Sequence, residues 1–255
     1  MTDDIALAHA LADAAGAAIR PFFRARFEAE TKADASPVTE ADRAAERAIR
    51  ALLAAHRPAD GVIGEEYGTE RGDAERVWVL DPIDGTRAFV GGRPTFGTLI
   101  ALLDGDRPVL GVIDQPITRE RWIGAAGQPT LFNGAPARSR HGRALDTALF
   151  ATTVPWLCRP FETIRAATRD TLLGGDCYNY GLVASGHIDL VIEDGLKLHD
   201  FAALVPVVEG AGGAVRNWSG QPLTRASDGR VIAAGDPALI DAVLPLMERG
   251  TAPAG

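Results

Sequence analysis

The 255-residue sequence contains only two cysteines, Cys158 and Cys177. Two thiols are too few for a disulfide framework or a thiolate metal site, and they indicate a reducing environment such as the cytoplasm. No apolar run approaches the ~20 residues that a membrane-spanning helix needs. The N-terminal Thr2-Asp3-Asp4 also lacks the basic start of a signal peptide. These absences predict a cytoplasmic protein with no membrane partner.

Positive charge is scarce as well. The formal net charge is −8 and the isoelectric point is near 5.2, which argues against nucleic acid or an anionic membrane as the main partner. A chain this acidic would need metal ions to offset its own carboxylates if it handled a phosphate. The apolar fraction of 46% and the charged fraction of 24% are ordinary for a globular protein.

The length allows one large core or two packed subdomains. Residues 133–147 are polar and rich in Arg, Gly and Pro, which makes them the best candidate for a boundary. We therefore expect an N-terminal subdomain over residues 1–140 that carries most metal ligands. A C-terminal subdomain over residues 141–255 would complete the metal site and the substrate pocket.

Hydrophobic periodicity predicts a mixture of helices and strands. The predicted helices cover residues 4–24, 37 or 40 to 56, 160–171, 175–187, 200–209 and 237–247. The predicted strands cover residues 61–64, 77–80, 96–103, 108–115, 121–125, 149–154, 188–193, 214–218 and 230–234. Pro206 lies too deep in its helix for a first turn, so we expect a kink or an early break there. This pattern indicates a mixed α/β protein.

The most informative stretch places oxygen ligands directly after an apolar segment. Val77-Trp78-Val79-Leu80 predicts a buried strand that ends in the turn Asp81-Pro82-Ile83-Asp84-Gly85-Thr86. Two carboxylates three residues apart, with a carbonyl between them, suit a divalent cation that prefers oxygen. Gly85 permits close backbone approach, and a helix that begins at Thr86 would turn N–H groups toward a phosphate. An ordinary tight turn is the alternative, because Asp-Pro and Asp-Gly are common turn dipeptides.

Acidic residues recur at three other predicted element ends. Glu65 and Glu66 follow the strand over residues 61–64, at the edge where open sheets bind ligands, although a solvated turn is the alternative. Asp200 starts the helix over residues 200–209, where it fits an N-cap. Asp42 belongs to Thr39-Glu40-Ala41-Asp42, which fits a capping box. A structural role alone would account for Asp42.

Taken together, these segments resemble the three signatures of the inositol monophosphatase superfamily. The segments are Gly64-Glu65-Glu66, Asp81-Pro82-Ile83-Asp84-Gly85-Thr86, and Asp200-Phe201-Ala202-Ala203 with Gly210-Ala211-Gly212-Gly213. Their order and spacing match, and the resemblance spans nearly the whole chain. It implies a layered αβαβα sandwich of the inositol monophosphatase and fructose-1,6-bisphosphatase type. It also implies Mg²⁺-dependent hydrolysis of a small phosphate monoester by what is commonly a homodimer.

The resemblance further implies a set of metal ligands. Glu65, Asp81 and the Ile83 carbonyl would hold one Mg²⁺. Asp81 would bridge to a second Mg²⁺ that Asp84 and Asp200 also hold. Relatives often use a third, weaker ion near Glu65. The five histidines of the sequence show no clustered ligand spacing, so we expect coordination by oxygen alone.

The remaining site residues follow from the same resemblance. The backbone N–H groups of Gly85 and Thr86 would bind the phosphate, and Thr86 with Glu65 would orient the attacking water. Asp42 and Lys32 occupy the segment that in relatives is mobile, with Asp42 near the third ion and Lys32 near the phosphate. The implied catalytic residues are Glu65, Thr86 and Asp84.

The second half of the chain narrows the range of candidate substrates. Its motifs look most like the histidinol-phosphate phosphatase branch, and they are Gly174-Gly175-Asp176-Cys177-Tyr178, Glu193-Asp194-Gly195-Leu196-Lys197 and residues 203–213. Asp176 would suit a substrate ammonium, although an N-cap or a first-turn acid is the alternative. Glu193 matches a position where relatives bind a substrate hydroxyl or amine, although a solvated acid at a strand end is the alternative. Leu198-His199 departs from the branch, because Pro-Tyr or Pro-Trp is expected there.

Other functions remain open from the sequence. Hydrolysis of inositol 1-phosphate, or of a broader set of sugar and nucleotide monoesters, is the nearest alternative. A non-catalytic regulator or a partner of the RNA machinery on the same fold is a different class. The complete set of acidic site residues argues against an inactive enzyme, and the low isoelectric point argues against RNA.

Overall fold

Two β-sheets, each covered by helices on both faces, make up the computed structural model, which describes residues 1–25 and 37–249. Its helices are α1 (Thr2–Ile19), α2 (Pro37–His56), α3 (Thr86–Val90), α4 (Phe161–Ala167), α5 (Asp176–Ala184), α6 (Leu198–Phe201), α7 (Leu204–Gly210) and α8 (Pro237–Arg249). Its strands are β1 (Gly61–Gly64), β2 (Gly68–Glu70), β3 (Arg76–Asp84), β4 (Gly97–Asp104), β5 (Arg107–Gln115), β6 (Glu120–Ala125), β7 (Leu131–Phe132), β8 (Ala135–Pro136), β9 (Leu149–Thr152), β10 (Asp170–Leu173), β11 (Leu190–Glu193), β12 (Ala214–Arg216) and β13 (Val231–Ala234).

The first sheet has the strand order β2-β1-β3-β4-β5-β6-β7-β8. Its only parallel pair among the described strands is β1 with β3, in which Gly64 lies opposite Leu80. The carboxyl ends of parallel strands meet at one edge of a sheet, so the residues that follow Gly64 and Leu80 are brought together. The Glu65 N–H, for example, donates to the Leu80 carbonyl at 3.2 Å. This pairing is what places Glu65 beside Asp81.

The second sheet has the order β10-β9-β11-β13-β12. Strand β9 runs parallel to both β10 and β11, and β13 runs antiparallel to its two neighbours. The carboxyl ends of β9 and β11 therefore also meet at one edge, which brings Thr153 to Glu193 at the end of β11.

Three apolar cores alternate with the sheets. The α1–α2 pair packs on the outer face of the first sheet, around Ile49, Trp78 and Ile100. Helices α5, α6 and α7 fill the space between the two sheets. Helices α4 and α8 cover the outer face of the second sheet. These layers confirm the predicted αβαβα sandwich.

Two glycines set the spacing between the first sheet and the middle helices. A Cβ placed on Gly111 of β5 would lie 2.0 Å from the Ala203 carbonyl oxygen, and one on Gly124 of β6 would lie 2.1 Å from that of Pro206. Only glycine allows the sheet to approach the backbone of these helices so closely. The approach fixes the start of α7 against the sheet that carries Asp81, and α6 with Asp200 directly precedes it in the chain.

Several predicted boundaries were wrong. The first helix ends at Ile19 and not at 24, and the helix expected through residue 187 ends at Ala184. The helix expected over residues 160–171 stops at Ala167, because Asp170–Leu173 pairs with β9 as an edge strand. Helical spacing in that segment is overridden by this backbone pairing.

The helix expected over residues 200–209 is two helices, α6 and α7. The break lies at Ala202-Ala203, which places Pro206 in the first turn of α7, where its missing N–H costs little. The expected early break is thus confirmed. The predicted strand over residues 77–80 does not end in a turn but continues as β3 to Asp84.

The first sheet ends at Pro136 and the second begins at Leu149. The division at residues 140 and 141 falls between them and stays a prediction, since the central core draws on both sheets. Among the described residues, no helix combines the length and the apolar character of a membrane span.

Candidate active site and metal centre

Four of the five predicted carboxylate ligands converge at the carboxyl edge of β1 and β3. Ligand atoms of Asp81, Asp84 and Asp200 lie within 4.8 Å of one another, and the same holds for Glu65, Asp81 and His199. Asp81 belongs to both groups. The structure therefore brings together every predicted metal carboxylate except Asp42, with Asp81 common to both groups, and adds one histidine that was not predicted.

An irregularity in β3 lets two of these carboxylates face the same site. In a regular strand, residues three apart point to opposite faces of the sheet. The pairing of β3 with β4 shifts register between Asp81 and Asp84. Within the shifted segment, the Ile83 N–H donates to Asp81 Oδ1 at 3.1 Å, and Thr98 Oγ1 donates to the Pro82 carbonyl at 2.8 Å. The bulge thus aims both aspartates inward.

Asp200 is held differently from the N-cap that the sequence suggested. The N-cap of α6 is Lys197, and Asp200 is the third helical residue, so the capping prediction was wrong. Its Oδ2 accepts a hydrogen bond from the Lys197 N–H at 2.7 Å. This bond back to the start of the helix orients the carboxylate toward Asp81 and Asp84.

Burial and mutual repulsion dominate the electrostatics of the site. Burial raises the pKa of Asp81 well above its ordinary value, and the charges of Asp84, Glu65 and Asp200 raise it further. The pKa of Asp84 is raised by burial and by Asp176 and Asp200, although the Cys177 N–H, which donates to Asp84 Oδ2 at 2.7 Å, acts in the opposite direction. Bound cations would remove the repulsion that raises both values.

The residues present fit a cation-binding site. Within the described chain, Asp42 Oδ1 and His199 Nε2 are buried side-chain atoms without a hydrogen-bond partner. An unpaired buried polar atom costs about 1–3 kcal/mol, which a ligand could recover. The carboxylates of Asp81, Asp84 and Asp200 form the oxygen-rich donor set that Mg²⁺ prefers.

Asp42 is not a capping residue. Helix α2 begins at Pro37, so Asp42 lies in the second turn and the capping-box interpretation was wrong. Its side chain is buried, and burial together with Glu66, Glu65 and Glu46 raises its pKa to about 8. A buried carboxyl group surrounded by other acids is more consistent with a role beside a cation than with helix capping.

The predicted phosphate-binding turn is formed by Gly85 and the start of α3. Gly85 has a φ of 85° and is the N-cap of α3, and Thr86 Oγ1 donates to the Ile83 carbonyl at 3.3 Å. A Cβ on Gly85 would lie 2.9 Å from Asp176 Cγ. The Asp176 carboxyl group therefore stands directly over this turn. Lys32 lies outside the described residues.

A cleft of about 160 Å³ opens beside the metal centre, lined by Asp84, Asp176, Tyr180, Glu193 and Asp200 among others. The N-cap of α5 is Gly175, so the N-cap alternative for Asp176 was wrong, while its first-turn position is confirmed. Burial raises the pKa of Asp176 to about 6, against the lowering effect of Arg87 and Arg93.

Glu193 is a buried, hydrogen-bonded acid, not a solvated one. Its side chain accepts bonds from Tyr180 Oη at 3.0 Å, from the Thr153 N–H at 3.0 Å and from Thr153 Oγ1. Thr153 Oγ1 in turn accepts the Asp176 N–H at 3.0 Å. Burial raises the pKa of Glu193 to about 7. Glu193, Thr153 and Asp176 thus form one connected wall of the cleft.

Comparison with known proteins identifies the family. A model of the inositol monophosphatase family matches residues 1–251. The chain belongs to the inositol monophosphatase family. The bifunctional phosphatase IMPL2, chloroplastic, of Arabidopsis thaliana is 47% identical over 91% of this chain and 71% of that protein. A histidinol-phosphatase of Streptomyces coelicolor is 40% identical over 86% of this chain and 88% of that protein.

Solved structures of the inositol monophosphatase family share the fold. An inositol monophosphatase from Zymomonas mobilis superposes with a TM-score of 0.91 at 60% sequence identity, over 97% of this chain and 98% of that one. Membership of the inositol monophosphatase family makes this chain a phosphatase. The names of these relatives indicate different substrates.

Two residues of this inositol monophosphatase site were not predicted from the sequence. One is His199, whose only signal was its departure from the expected Pro-Tyr or Pro-Trp. The other is Glu46, which is fully buried in α2. Glu46 Oε2 accepts the Glu66 N–H at 2.8 Å, and Oε1 accepts the Tyr67 N–H at 3.3 Å and Arg50 Nε at 2.7 Å. A charged residue between apolar positions of an amphipathic helix was the available signal.

Replacing Glu46 with alanine should destabilise the protein by about 3 kcal/mol or more, because Arg50 and two N–H groups lose a buried partner. The turn that carries Glu65 would lose its anchor as well, so the Mg²⁺ requirement should rise. Urea unfolding and a Mg²⁺ titration of activity measure the two effects. Glu40→Ala on an exposed part of α2 is the control. Equal stability of both variants would contradict the anchoring role.

Proposed function

We propose that this phosphatase hydrolyses L-histidinol phosphate to L-histidinol and phosphate with Mg²⁺, as a step of histidine biosynthesis. The observation that carries this proposal is the position of Asp176, whose carboxyl group stands over the Gly85 turn inside the cleft. An acid beside the turn that is expected to bind the phosphate would meet the ammonium of histidinol phosphate. Three relatives named histidinol-phosphatase, 35–40% identical to this chain, support it.

The converging acids would hold the metal ions. Glu65, Asp81 and the Ile83 carbonyl would hold one Mg²⁺, and Asp81, Asp84 and Asp200 a second. Asp42 would serve a third, weaker ion. Bound Mg²⁺ would neutralise charge on the phosphate and lower the pKa of a water molecule.

The chain's own groups would then position the reactants. The N–H groups of Gly85 and Thr86 would hold the phosphate at the start of α3. Thr86 Oγ1 donates a hydrogen bond to the Ile83 carbonyl, so its lone pairs can accept a hydrogen bond from the attacking water. Glu65 would orient that water and take up its proton.

Asp176 and Glu193 would recognise the substrate ammonium. Both line the cleft, and Glu193 is tied through Thr153 to the Asp176 backbone. Arg87 and Arg93 near Asp176 favour its charged form. An ionised Asp176 at neutral pH would bind an ammonium by a charge-assisted hydrogen bond.

Asp176→Asn should lower kcat/KM for histidinol phosphate by about 10- to 150-fold. A hydrogen bond to a charged group contributes roughly 1.5–3 kcal/mol, and each 1.4 kcal/mol is a factor of ten. The same variant should leave hydrolysis of inositol 1-phosphate nearly unchanged, because that substrate carries no ammonium. Asparagine keeps the size and polarity of the side chain, so urea unfolding should show little loss of stability.

Two outcomes would contradict the role of Asp176. Equal losses on both substrates would show that it supports the architecture of the Gly85 turn. No loss on either would show that the ammonium is bound elsewhere. Asp194→Asn, at another acid that lines the same cleft, is the matched control.

Asp42→Asn should raise the Mg²⁺ concentration for half-maximal rate while leaving stability unchanged or higher. The raised pKa of Asp42 shows that its charge is unfavourable without a cation. Asp241→Asn on exposed α8 is the control. An unshifted Mg²⁺ curve, measured by phosphate release, would remove Asp42 from the metal site.

Inositol 1-phosphate is the second candidate substrate, within a broader class of sugar and nucleotide monoesters. The observation that favours it is the 60% identity with the Zymomonas mobilis inositol monophosphatase. The homodimer and the cytoplasmic location expected from the sequence also stay predictions.

A further inference from the structure

His199 occupies an unusual position between two predicted metal ligands. It is the second residue of α6, and its side chain is 12% exposed. Nε2 lies 3.6 Å from Glu65 Oε1 and 3.4 Å from Asp200 Oδ1. Neither contact has the geometry of a hydrogen bond, and Nε2 is buried without a hydrogen-bond partner. The sequence at this point departs from the Pro-Tyr or Pro-Trp expected of the family.

A purely structural role does not explain this placement. A buried nitrogen without a partner costs about 1–3 kcal/mol. A tyrosine or tryptophan at the same position would not bring a ring nitrogen of this basicity to Glu65. The imidazole nitrogen is instead aimed at the space that Glu65 and Asp81 share, where the three ligand atoms lie within 4.8 Å of one another.

The separation of the atoms fits shared coordination. An imidazole nitrogen and a carboxylate oxygen, each about 2.1 Å from one tetrahedral ion, lie about 3.4 Å apart. The corresponding distance from His199 Nε2 to Glu65 Oε1 is 3.6 Å. A small rotation of either side chain would bring both atoms onto one ion.

We propose that His199 Nε2 is a ligand of the cation held by Glu65 and Asp81. This gives one position of the metal centre a mixed nitrogen and oxygen donor set. Imidazole suits Zn²⁺ and other late transition metals, while Mg²⁺ prefers oxygen. The Glu65 position, which holds Mg²⁺ through its oxygen ligands in the proposed function, therefore also binds Zn²⁺ with His199 as an added ligand, and the Asp84–Asp200 position remains an oxygen site. The inference rests on the metal site of the proposed function and corrects the expectation of oxygen-only coordination.

The test is metal binding to the full-length protein, without substrate. Zn²⁺ is titrated into metal-free protein by calorimetry, and the histidine side chains are observed by long-range ¹H–¹⁵N NMR. His199 Nε2 should move to the chemical shift of a coordinated nitrogen. His199→Phe should weaken Zn²⁺ binding by about 10- to 100-fold or more. Loss of a residue that only supports a metal ligand costs about this much, and loss of a direct ligand should cost at least as much. Its Mg²⁺ affinity should be nearly unchanged.

His187→Phe, at an exposed histidine, is the matched control and should bind Zn²⁺ like the wild type. His199→Gln serves as a second variant if the phenylalanine disturbs folding, and the wild-type spectrum decides in either case. Bound Zn²⁺ with an unmoved His199 signal would overturn the inference alone, leaving Mg²⁺-dependent hydrolysis intact. No Zn²⁺ binding at all would overturn the inference, and only the additional absence of Mg²⁺ binding to the same protein would overturn the metal site on which the proposed function rests.

Discussion

Asp84→Asn is expected to lower turnover at saturating Mg²⁺ by on the order of 100-fold or more. Asp84 lies within ligand distance of Asp81 and Asp200, and substitutions one shell further out already cost about 10- to 100-fold. Asparagine keeps the shape of the side chain and an oxygen that can accept the Cys177 N–H. The loss should therefore appear in kcat and in metal affinity, not in folding.

The stability of this variant provides an independent check. Without metal, burial and the charges of Asp176 and Asp200 make the ionised Asp84 unfavourable. Removing that charge should leave metal-free Asp84→Asn at least as stable as the wild type, and Mg²⁺ should stabilise it less. Asp241→Asn is the control for a lost surface charge. Turnover near the wild-type value would contradict the two-ion arrangement.

The metal-free protein is expected to lose stability as pH rises from 5 to 9. The folded-state pKa values of Asp42, Glu193 and Asp176 are about 8, about 7 and about 6. All three lie above the ordinary values near 4. Between the unfolded and folded values the unfolded chain binds fewer protons, so the free energy of unfolding falls with rising pH. Because each pKa unit is worth about 1.4 kcal/mol, we expect a fall of several kcal/mol.

The buried carboxyl groups of Asp81, Asp84 and Asp114, whose pKa values are also raised, act in the same direction. In contrast, Asp4 contributes little and His9 opposes the fall. The pKa of Asp4 is lowered to about 2, so its ion pairs with Arg57 and Arg76 are fully formed above pH 5. Burial lowers the pKa of His9, which makes stability rise with pH below about 6.5. This single group acts against several carboxyl groups, so the fall should dominate above pH 6.5.

Urea unfolding in EDTA across this pH range measures the effect. With excess Mg²⁺ the part of the fall that comes from Asp42 and the other metal-site carboxylates should disappear or reverse, because a cation binds the deprotonated carboxylates. Asp42→Asn should flatten the upper part of the metal-free curve, while Asp241→Asn should not. A free energy of unfolding that stays flat or rises with pH in EDTA would contradict the arrangement of buried acids.

The site could be predicted largely because its acids follow strands with strong local patterns. Val77–Leu80 is apolar and bounded by Asp81, and Glu65 follows a short apolar segment in the same way. Parallel pairing of the two strands then brings their carboxyl ends together without further information. Asp200 was predicted from the family signatures, because no local pattern in the sequence shows that it lies beside Asp81 and Asp84.

The features that were missed depend on tertiary contacts. The bulge that turns both Asp81 and Asp84 inward exists only in the pairing of β3 with β4. Glu46 gains its role from the N–H groups of Glu66 and Tyr67, twenty residues further along the chain. The edge strand β10 forms because β9 offers free backbone groups, against the helical spacing of its own residues.

Phosphate release from L-histidinol phosphate and from inositol 1-phosphate, each with Mg²⁺ and with EDTA, tests the central claim most directly. The proposed function predicts release that requires Mg²⁺ and a higher kcat/KM for histidinol phosphate. Release without a metal ion would contradict the metal centre. A higher kcat/KM for inositol 1-phosphate would contradict the assignment of histidinol phosphate as the substrate.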